Sequence, residues 1–143
     1  MPDLTLDAAQ TILSVALKSA REKALKPLAV AVYDARGALR AFAAEDGTSL
    51  RRAEVAMGKA QGALAVGLGS RALYKRAAEQ PYFIAAVTHA VGGMLIPVPG
   101  GVLIRDADGG LVGAIGISGD TSDNDEAVAV AAIEAAGLAA ETG

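Results

Sequence analysis

Two pairs of short apolar segments, each pair joined by a turn, constrain the fold of this chain more than any other feature. Residues 28–34 and 38–44 flank the turn Asp34-Ala35-Arg36-Gly37, and residues 101–105 and 111–118 flank a turn that ends Asp-Gly-Gly. Valine-rich runs on either side of a glycine-containing turn predict β-hairpins. Two hairpins favour an antiparallel sheet of about five strands, with a short segment near 94–98 as the candidate for the fifth.

The remaining segments predict helices. Residues 5–26 carry apolar side chains at helical spacing, with Thr5 as a plausible N-cap and Pro27 at the end. Residues 50–69 predict a second helix and residues 70–79 a short third one. A last helix is predicted from Asp123 to about Ala140, with Asp123 as its cap and Glu126 three residues later.

Residues 80–100 contain three prolines and three glycines, and we expect them to be irregular. The terminal helices then have only the faces of the sheet to cover, so the fold class is α+β. A chain of 143 residues without a linker or a repeat fits one domain, spanning residues 1–143.

Small side chains dominate this composition. Hydrophobic residues make up 52% of the chain but aromatic residues only 3%, so we expect backbones to pack closely and flat surfaces to suit a homo-oligomer. Gly110, Gly113, Gly116 and Gly119 recur every third residue through a predicted strand. Because a phosphate-binding loop needs a different spacing between a strand and a helix, we interpret these glycines as positions where another element or a ligand lies close.

Charge and cysteine content exclude several classes of function. The net charge is −3, with 13 basic and 16 acidic residues, which argues against binding to nucleic acid. Cysteine is absent, which excludes thiolate metal sites and a cysteine nucleophile. No apolar stretch reaches the length of a membrane span, and the N-terminus lacks a signal-peptide pattern. We therefore predict a cytoplasmic location without membrane contact.

His89 is the only histidine, and it is the candidate ligand for a metal or a heme iron. The alternative is an ordinary loop histidine beside Gly92 and Gly93. One histidine cannot build a structural zinc site, because the other ligands are missing.

Lysine and arginine side chains are the other candidates for chemistry. Lys59 lies close to the apolar side of the second helix, where it can hold a ligand carboxylate or act as a base. Arg51 and Arg52, at the start of that helix, can grip a carboxylate or remain solvated. Asp34 either bonds its own turn or forms an acid–base pair with Lys59.

Two long stretches resemble a known family. LAVAVYDARGALRAFAAEDGTSLRRAEVAMGKAQGA contains V-x-D-x-x-G, then D-G, then K-A, and GGVLIRDADGGLVGAIGISGDTSDNDEAVAVAAI contains G-A-I-G-I-S-G with D-E at a helix start. Both resemble the GlcG/HbpS-like heme-binding family, which includes the C-terminal module of PduO-type proteins. The positions that match its motifs are Asp34, Gly37, Asp46, Gly47, Lys59, Ala60, Gly100, Gly101, Gly113, Gly116, Ser118, Gly119, Asp125 and Glu126.

The resemblance implies a profilin- or PAS-like sheet, assembly into dimers or larger oligomers, and a small-molecule pocket near subunit contacts. It names heme as the candidate cofactor. The candidate catalytic residues are Lys59, Asp34 and Glu126. The candidate ligand-binding residues are Arg51, Arg52, His89, Gly100, Gly101 and Ser118, with His89 also the candidate metal ligand.

This chain departs from the family pattern at three positions. Ala44 stands where the family commonly has the arginine before D-G, Gly62 replaces a threonine, and Leu103 replaces a proline. The loss of that arginine removes a guanidinium that can bind a ligand carboxylate, and Arg51 or Arg52 can take over this role.

Three functional hypotheses follow. The first is a small-molecule binding protein with heme as the named ligand. The second is a metal-independent lyase or isomerase that acts on a small carboxylated or aromatic substrate. The third is a structural or regulatory oligomer without turnover.

Overall fold

The computed structural model describes residues 3–143 and contains one five-stranded antiparallel sheet. Its strands are β1 (Ala29–Asp34), β2 (Leu39–Ala44), β3 (Gly101–Arg105), β4 (Leu111–Ser118) and β5 (Ala139–Glu141). The strand order is β2-β1-β4-β3-β5. Both predicted hairpins are confirmed, since β1 pairs with β2 and β3 pairs with β4.

The two hairpins join through their inner strands. β1 and β4 pair antiparallel, with Ala29 opposite Ser118 and Asp34 opposite Gly113. Both strands are buried along almost their whole length, because helices cover both faces of the sheet at its centre. The α+β class with about five strands is therefore confirmed.

One face of the sheet is covered by the terminal helices α1 (Leu6–Glu22) and α5 (Ser122–Ala135). Ile12 from α1 and Ile133 from α5 are fully buried in the largest hydrophobic cluster, together with strand residues such as Ile104. Thr5 caps α1 as predicted, since its hydroxyl accepts from the Ala8 N–H. This layer is an ordinary aliphatic core.

The opposite face is covered by α2 (Arg52–Val66), and here the packing depends on glycine. A Cβ on Gly116 would overlap the carbonyl oxygen of Ala56, so α2 lies directly against the backbone of β4. The segment after residue 93 runs along the outside of α2, where Leu95 fills the space beside Gly62. The expectation that the glycines mark close approach is confirmed at Gly113, Gly116 and Gly119, where a Cβ would overlap a backbone carbonyl oxygen.

Two shorter helices, α3 (Ser70–Glu79) and α4 (Pro81–Ala90), pack beyond α2. They share a small cluster formed by Leu73, Ile84 and Leu95. Arg76 of α3 lies over the ring of Phe83 of α4, with 4.8 Å between the guanidinium carbon and the ring centroid. The other side of α4, with Tyr82, Ala85, Ala86 and His89, is exposed.

Two predictions on the middle of the chain were wrong. Residues 80–100 are not irregular throughout, because Pro81 occupies the first turn of α4, where the missing N–H costs nothing. Residues 94–98 do not form a strand.

Predictions near the C-terminus also need correction. The fifth strand is β5, and the last helix ends at Ala135, not near Ala140. Gly137, with φ of +77°, turns the chain so that β5 pairs with β3. The helix is capped by Thr121, whose hydroxyl accepts from the Asn124 N–H, and not by Asp123.

Candidate functional site

Lys59 is buried at one end of the sheet. It lies on α2 with only 2% of its surface exposed, and its ammonium donates to the carbonyl oxygen of Ile117 at 2.8 Å. The ammonium also lies 3.3 Å from Oδ2 of Asp125, which is 1% exposed. A buried lysine needs such a partner, because an isolated charge is costly away from water.

Asp125 holds the start of α5 against the strand end. Its Oδ1 accepts from the Asp120 N–H at 3.0 Å while its Oδ2 faces Lys59. Burial lowers the pKa of Lys59, and the attraction of Asp125 opposes that change. Burial likewise raises the pKa of Asp125, against the effect of Lys59. The low-dielectric surroundings thus bring the pKa values of acid and base closer together.

Gly100 and Gly101 make room for the lysine. A Cβ on Gly100, whose φ is +121°, would lie 2.8 Å from the Lys59 ammonium. A Cβ on Gly101 would overlap the Lys59 carbonyl oxygen, and the Gly101 N–H donates to the buried hydroxyl of Ser70 at 2.7 Å. These two predicted ligand-binding glycines therefore lie in the wall around Lys59.

Arg52 and Ser118 lie beside this ion pair. Nη1 of Arg52 donates to Oγ of Ser118 at 3.1 Å, and Ser118 is buried. The neighbouring Arg51 points elsewhere, since its guanidinium is exposed and pairs with Glu54 at 3.0 Å. The structure therefore brings Lys59, Arg52 and Ser118 into one polar cluster and leaves Arg51 outside it.

Glu126 belongs to a second ion-pair network. Both of its carboxylate oxygens accept from Nε of Arg71, at 3.0 and 3.1 Å, and Asp123 contacts the same guanidinium. The hydrogen bonds from Arg71 to Glu126 and then to Asp123 raise the pKa of Arg71. Glu126 thus lies one residue from Asp125 in sequence but pairs with a different cation.

Asp34 lies at the far end of β1 from the Lys59 cluster. It pairs with Gly113 at the start of β4, whereas Lys59 binds at Ile117 near the end of that strand. Its carboxylate accepts the N–H groups of Arg36 and Ala38 within its own turn. Burial alone would raise the pKa of Asp34, but the hydrogen bonds from the Ala38 N–H, the Arg36 guanidinium and the Arg36 N–H outweigh it and lower the pKa. The structure does not bring Asp34 and Lys59 together.

His89 lies in the last turn of α4 and is exposed, so it is a helix residue rather than a loop residue. Tyr82, 73% exposed, occupies the same side of α4 two turns earlier, with Ala85 and Ala86 between them. Among residues 3–143 no three histidine, aspartate or glutamate side chains converge to hold a metal ion.

Cavities of about 200 to 340 Å³ lie at three places in the described part of the chain. One, of about 340 Å³, lies between Arg71, Tyr74, Pro99 and the start of α5. The next, of about 250 Å³, lies between the β1–β2 turn and α2 at Gln61. The third, of about 200 Å³, lies between the N-terminal segment and Leu138. His89 lines none of these three cavities.

No helix within residues 3–143 is long and apolar enough to cross a bilayer.

The partners of the predicted residues carry weaker signals in the sequence. Arg71 pairs with residues more than 50 positions away, and nothing in its local sequence distinguishes it from the other basic residues of α3. Ser70 is likewise an ordinary serine at the start of a helix in the sequence, and its hydroxyl accepts a hydrogen bond from the Gly101 N–H. Asp125 matches the family's D-E motif, and that motif was the available indication of its importance.

The sequence and the fold were compared with those of known proteins. None of the curated proteins matches the sequence. A complex of PduOC with heme is similar at 25% identity and a TM-score of 0.85, covering 96% of this chain and 97% of the other. HbpS is similar at 29% identity and a TM-score of 0.78, covering 94% and 90%. The Klebsiella pneumoniae protein ORFY, at 22% identity and a TM-score of 0.84, covering 96% and 93%, shares the fold.

A family profile described as "Haem degrading protein HbpS-like" matches residues 4–134, which is nearly the whole chain. The match includes strands β1 to β4, nearly all of the helices on both faces of the sheet, and the Lys59–Asp125 pair. This chain therefore belongs to the HbpS-like family.

Proposed function

We propose that this protein binds heme and that the imidazole of His89 would coordinate the iron. The observation that supports the proposal is membership in the HbpS-like family together with similarity to a PduOC–heme complex over almost the whole of both chains. When bound, heme supplies an iron centre that takes axial ligands and exchanges electrons. The protein supplies one ligand and the surface around it.

The residues around His89 fit one side of a heme. A porphyrin needs an apolar contact surface and an axial nitrogen, sulfur or oxygen ligand. The exposed side of α4 offers alanine side chains at 85, 86 and 90 beside His89, with the ring of Tyr82 at the other end. The neighbouring helix α3 carries Lys75 and Arg76, whose positive charges would attract the propionates.

The second side of the heme requires another surface. His89 lies on the exposed side of α4 and lines none of the three cavities described above. We therefore propose that a second copy of this chain covers the other face. Such a pocket between subunits agrees with the expectation of a homo-oligomer.

Hemin titration tests this function. We expect wild-type protein to shift the Soret band saturably, and His89→Ala to lose the imidazole-dependent part of that spectrum. Because His89 is exposed and at a helix end, this substitution should change the free energy of unfolding by less than about 0.5 kcal/mol. Thermal unfolding of both proteins checks that the variant is folded.

Tyr82→Phe is a matched control on the same side of α4, since it keeps the ring and removes only the hydroxyl. We expect its Soret shift to equal that of the wild type. The same hemin spectrum in wild type and His89→Ala would contradict the role of His89, and the absence of any saturable shift would contradict heme binding itself.

A second candidate function is proton transfer on a small carboxylated substrate, as in a lyase or isomerase. Its support is the buried pair of Lys59 and Asp125, 3.3 Å apart, in which burial lowers the pKa of the lysine. Its acid partner would be Asp125 and not Asp34. Incubation with small 2-oxo and 2-hydroxy acids in D₂O, followed by proton NMR, tests it: the absence of protein-dependent exchange at the α-carbon would contradict it.

The third hypothesis, an oligomer without ligand or turnover, is separated from the first by native mass spectrometry of freshly purified protein. After addition of hemin, the measured mass of a heme-binding oligomer exceeds the summed mass of its subunits by one heme for each pocket between subunits. The mass of a purely structural oligomer equals the summed mass of its subunits.

A further inference from the structure

We propose that Arg52, assisted by Ser118 and by the positive charge of Lys59, binds the carboxylate of a small organic acid at the end of the sheet. This site does not depend on heme binding. It uses α2 and the end of β4, whereas His89 lies on α4, beyond α3.

The first argument is the partnership of Arg52. Most arginines of this chain have a carboxylate within 4.0 Å. Among residues 3–143, Arg52 and Arg76 have none, and Arg76 lies over the ring of Phe83. Arg52 is half-buried, and its side chain bonds to a neutral hydroxyl. A guanidinium held in that way carries a charge for which the fold provides no direct counter-ion.

The second argument is the balance of charge around Ser118. Lys59 and Arg52 bring two positive charges to this end of the sheet, and the buried partner there is the single carboxylate of Asp125. Burial is the main cause of the lowered pKa of Lys59, but the nearby charge of Arg52 lowers it further. One added anion of charge −1 would balance the cluster and relieve the repulsion between the two cations.

The third argument is the supply of hydrogen-bond donors. A guanidinium has five N–H donors in a planar fork, and Arg52 uses one of them on Ser118. Within residues 3–143 the Ser118 hydroxyl accepts that bond and donates none, so its proton can be donated to a ligand. Asp125 does not compete for Arg52, since its Oδ2 faces Lys59 and its Oδ1 accepts from the Asp120 N–H.

The chemistry favours a carboxylate. The guanidinium fork matches the two oxygens of a carboxylate in a bidentate geometry, and a carboxylate brings the single negative charge that the cluster lacks. A phosphate dianion would overcompensate the charge beside the Asp125 carboxylate. The ligand is therefore a small monocarboxylate, for which acetate is the simplest probe.

The experiment is an NMR titration of ¹⁵N-labelled full-length protein with sodium acetate at constant ionic strength, using sodium chloride as the reference salt. We expect saturable shifts of the Ser118 and Gly119 amide signals, with a dissociation constant on the order of millimolar. Arg52→Gln should weaken binding by about tenfold or more, because it removes the charged fork. Ser118→Ala should weaken it by a smaller factor.

Arg51→Gln is the matched control. Arg51 precedes Arg52 in the chain and carries the same charge, but it is exposed and pairs with Glu54. We expect this variant to bind acetate as the wild type does. If Arg51→Gln and Arg52→Gln weakened acetate binding equally, the effect would come from the overall charge of the protein and not from the position of Arg52. That result would overturn the proposal. Absence of saturation up to about 100 mM acetate would also overturn it, as would inorganic phosphate binding about tenfold more tightly than acetate.

Hemin does not enter this titration, so its outcome is separate from that of the heme proposal. A protein that binds acetate through Arg52 but fails to bind hemin would support this inference alone. A protein that binds hemin through His89 but shows no acetate saturation would support the heme proposal alone.

Discussion

The two faces of the sheet are built on different principles. The α1/α5 face is filled by branched aliphatic side chains such as Ile12, Ile104 and Ile133. The α2 face has a smaller cluster of mainly small residues, with Ala31, Ala60, Ala63 and Ala114 among its members. At the end of that face a lysine is buried, and beyond it α4 is left exposed.

The two faces also differ in where the candidate functional side chains lie. The candidate cations Lys59, Arg52 and Arg71 and the single histidine His89 all belong to α2, α3 or α4. The α1/α5 face contributes acidic residues from the first turn of α5, where that helix meets the other layer. Close packing of small residues on the α2 face thus brings charged side chains next to backbone, while the aliphatic face supplies an ordinary core.

The largest effect should come from breaking the buried pair on the α2 face. Lys59→Met keeps the length of the side chain but leaves the Asp125 carboxylate buried without its cation. We expect a loss of about 3–5 kcal/mol in the free energy of unfolding, measured by urea denaturation at pH 7.

The double variant Lys59→Met, Asp125→Asn tests the reason for that loss. An asparagine is neutral and still accepts from the Asp120 N–H. We expect the double variant to regain part of the stability, since no buried charge is left unpaired. A double variant less stable than Lys59→Met alone would show that the ion pair is not the cause.

A smaller effect is expected on the aliphatic face. Ile133→Val removes one methylene from a fully buried side chain of α5. We expect a loss of about 0.5–1.5 kcal/mol in the same denaturation experiment. A loss as large as that of Lys59→Met would remove the distinction between the two faces.

The smallest effect should lie at the half-buried Asp120, where the loop after β4 meets the segment before β1. The Asp120 carboxylate accepts from the N–H groups of Lys26 and Thr121 and from the side chain of Asn124. These bonds, led by that of Lys26, lower the pKa of Asp120 to about 2. Because the pKa is lower in the folded state than its ordinary value of about 3.9, the stabilisation is present above pH 4 and is lost as the pH falls toward 2.

Asp120→Asn should therefore have a slightly lower melting temperature than wild type at pH 7, with the difference shrinking between pH 4 and pH 2. Thermal unfolding at several pH values measures this. A difference that grows on acidification would contradict the assigned hydrogen bonds.

Much of the fold follows from local patterns. The hairpins around Asp34–Gly37 and before Gly110 depend on turn residues and neighbouring apolar runs, so they are visible in sequence. Helix α4 was not predicted, because its apolar residues follow a proline and prolines are also typical of loops. In addition, α4 has too few charged residues to show the polar–apolar period of a helix. β5 escaped because three residues acquire strand geometry only by pairing with β3.

The residues of the candidate site could be predicted from the sequence, but the side chains with which they pair could not. Lys59 stood out as a lysine near the apolar side of a helix, and it is buried as that position suggests. Its partner is Asp125, 66 positions away, and the hypothesis that pairs it with Asp34 finds the two at opposite ends of β4. Sequence distance carries no information on such a pair, since it forms where the strand end, α2 and α5 converge.

The sequence by itself determined the local elements: the hairpins, the cap at Thr5 and the glycine positions where backbones meet. Turn geometry, capping and the absence of a Cβ act within a few residues, so they can be recognised from sequence alone. Only the tertiary structure decided which charges meet. It set Lys59 against Asp125, left Arg52 with a hydroxyl and kept His89 exposed, because desolvation and pairing depend on what the whole chain packs around each group.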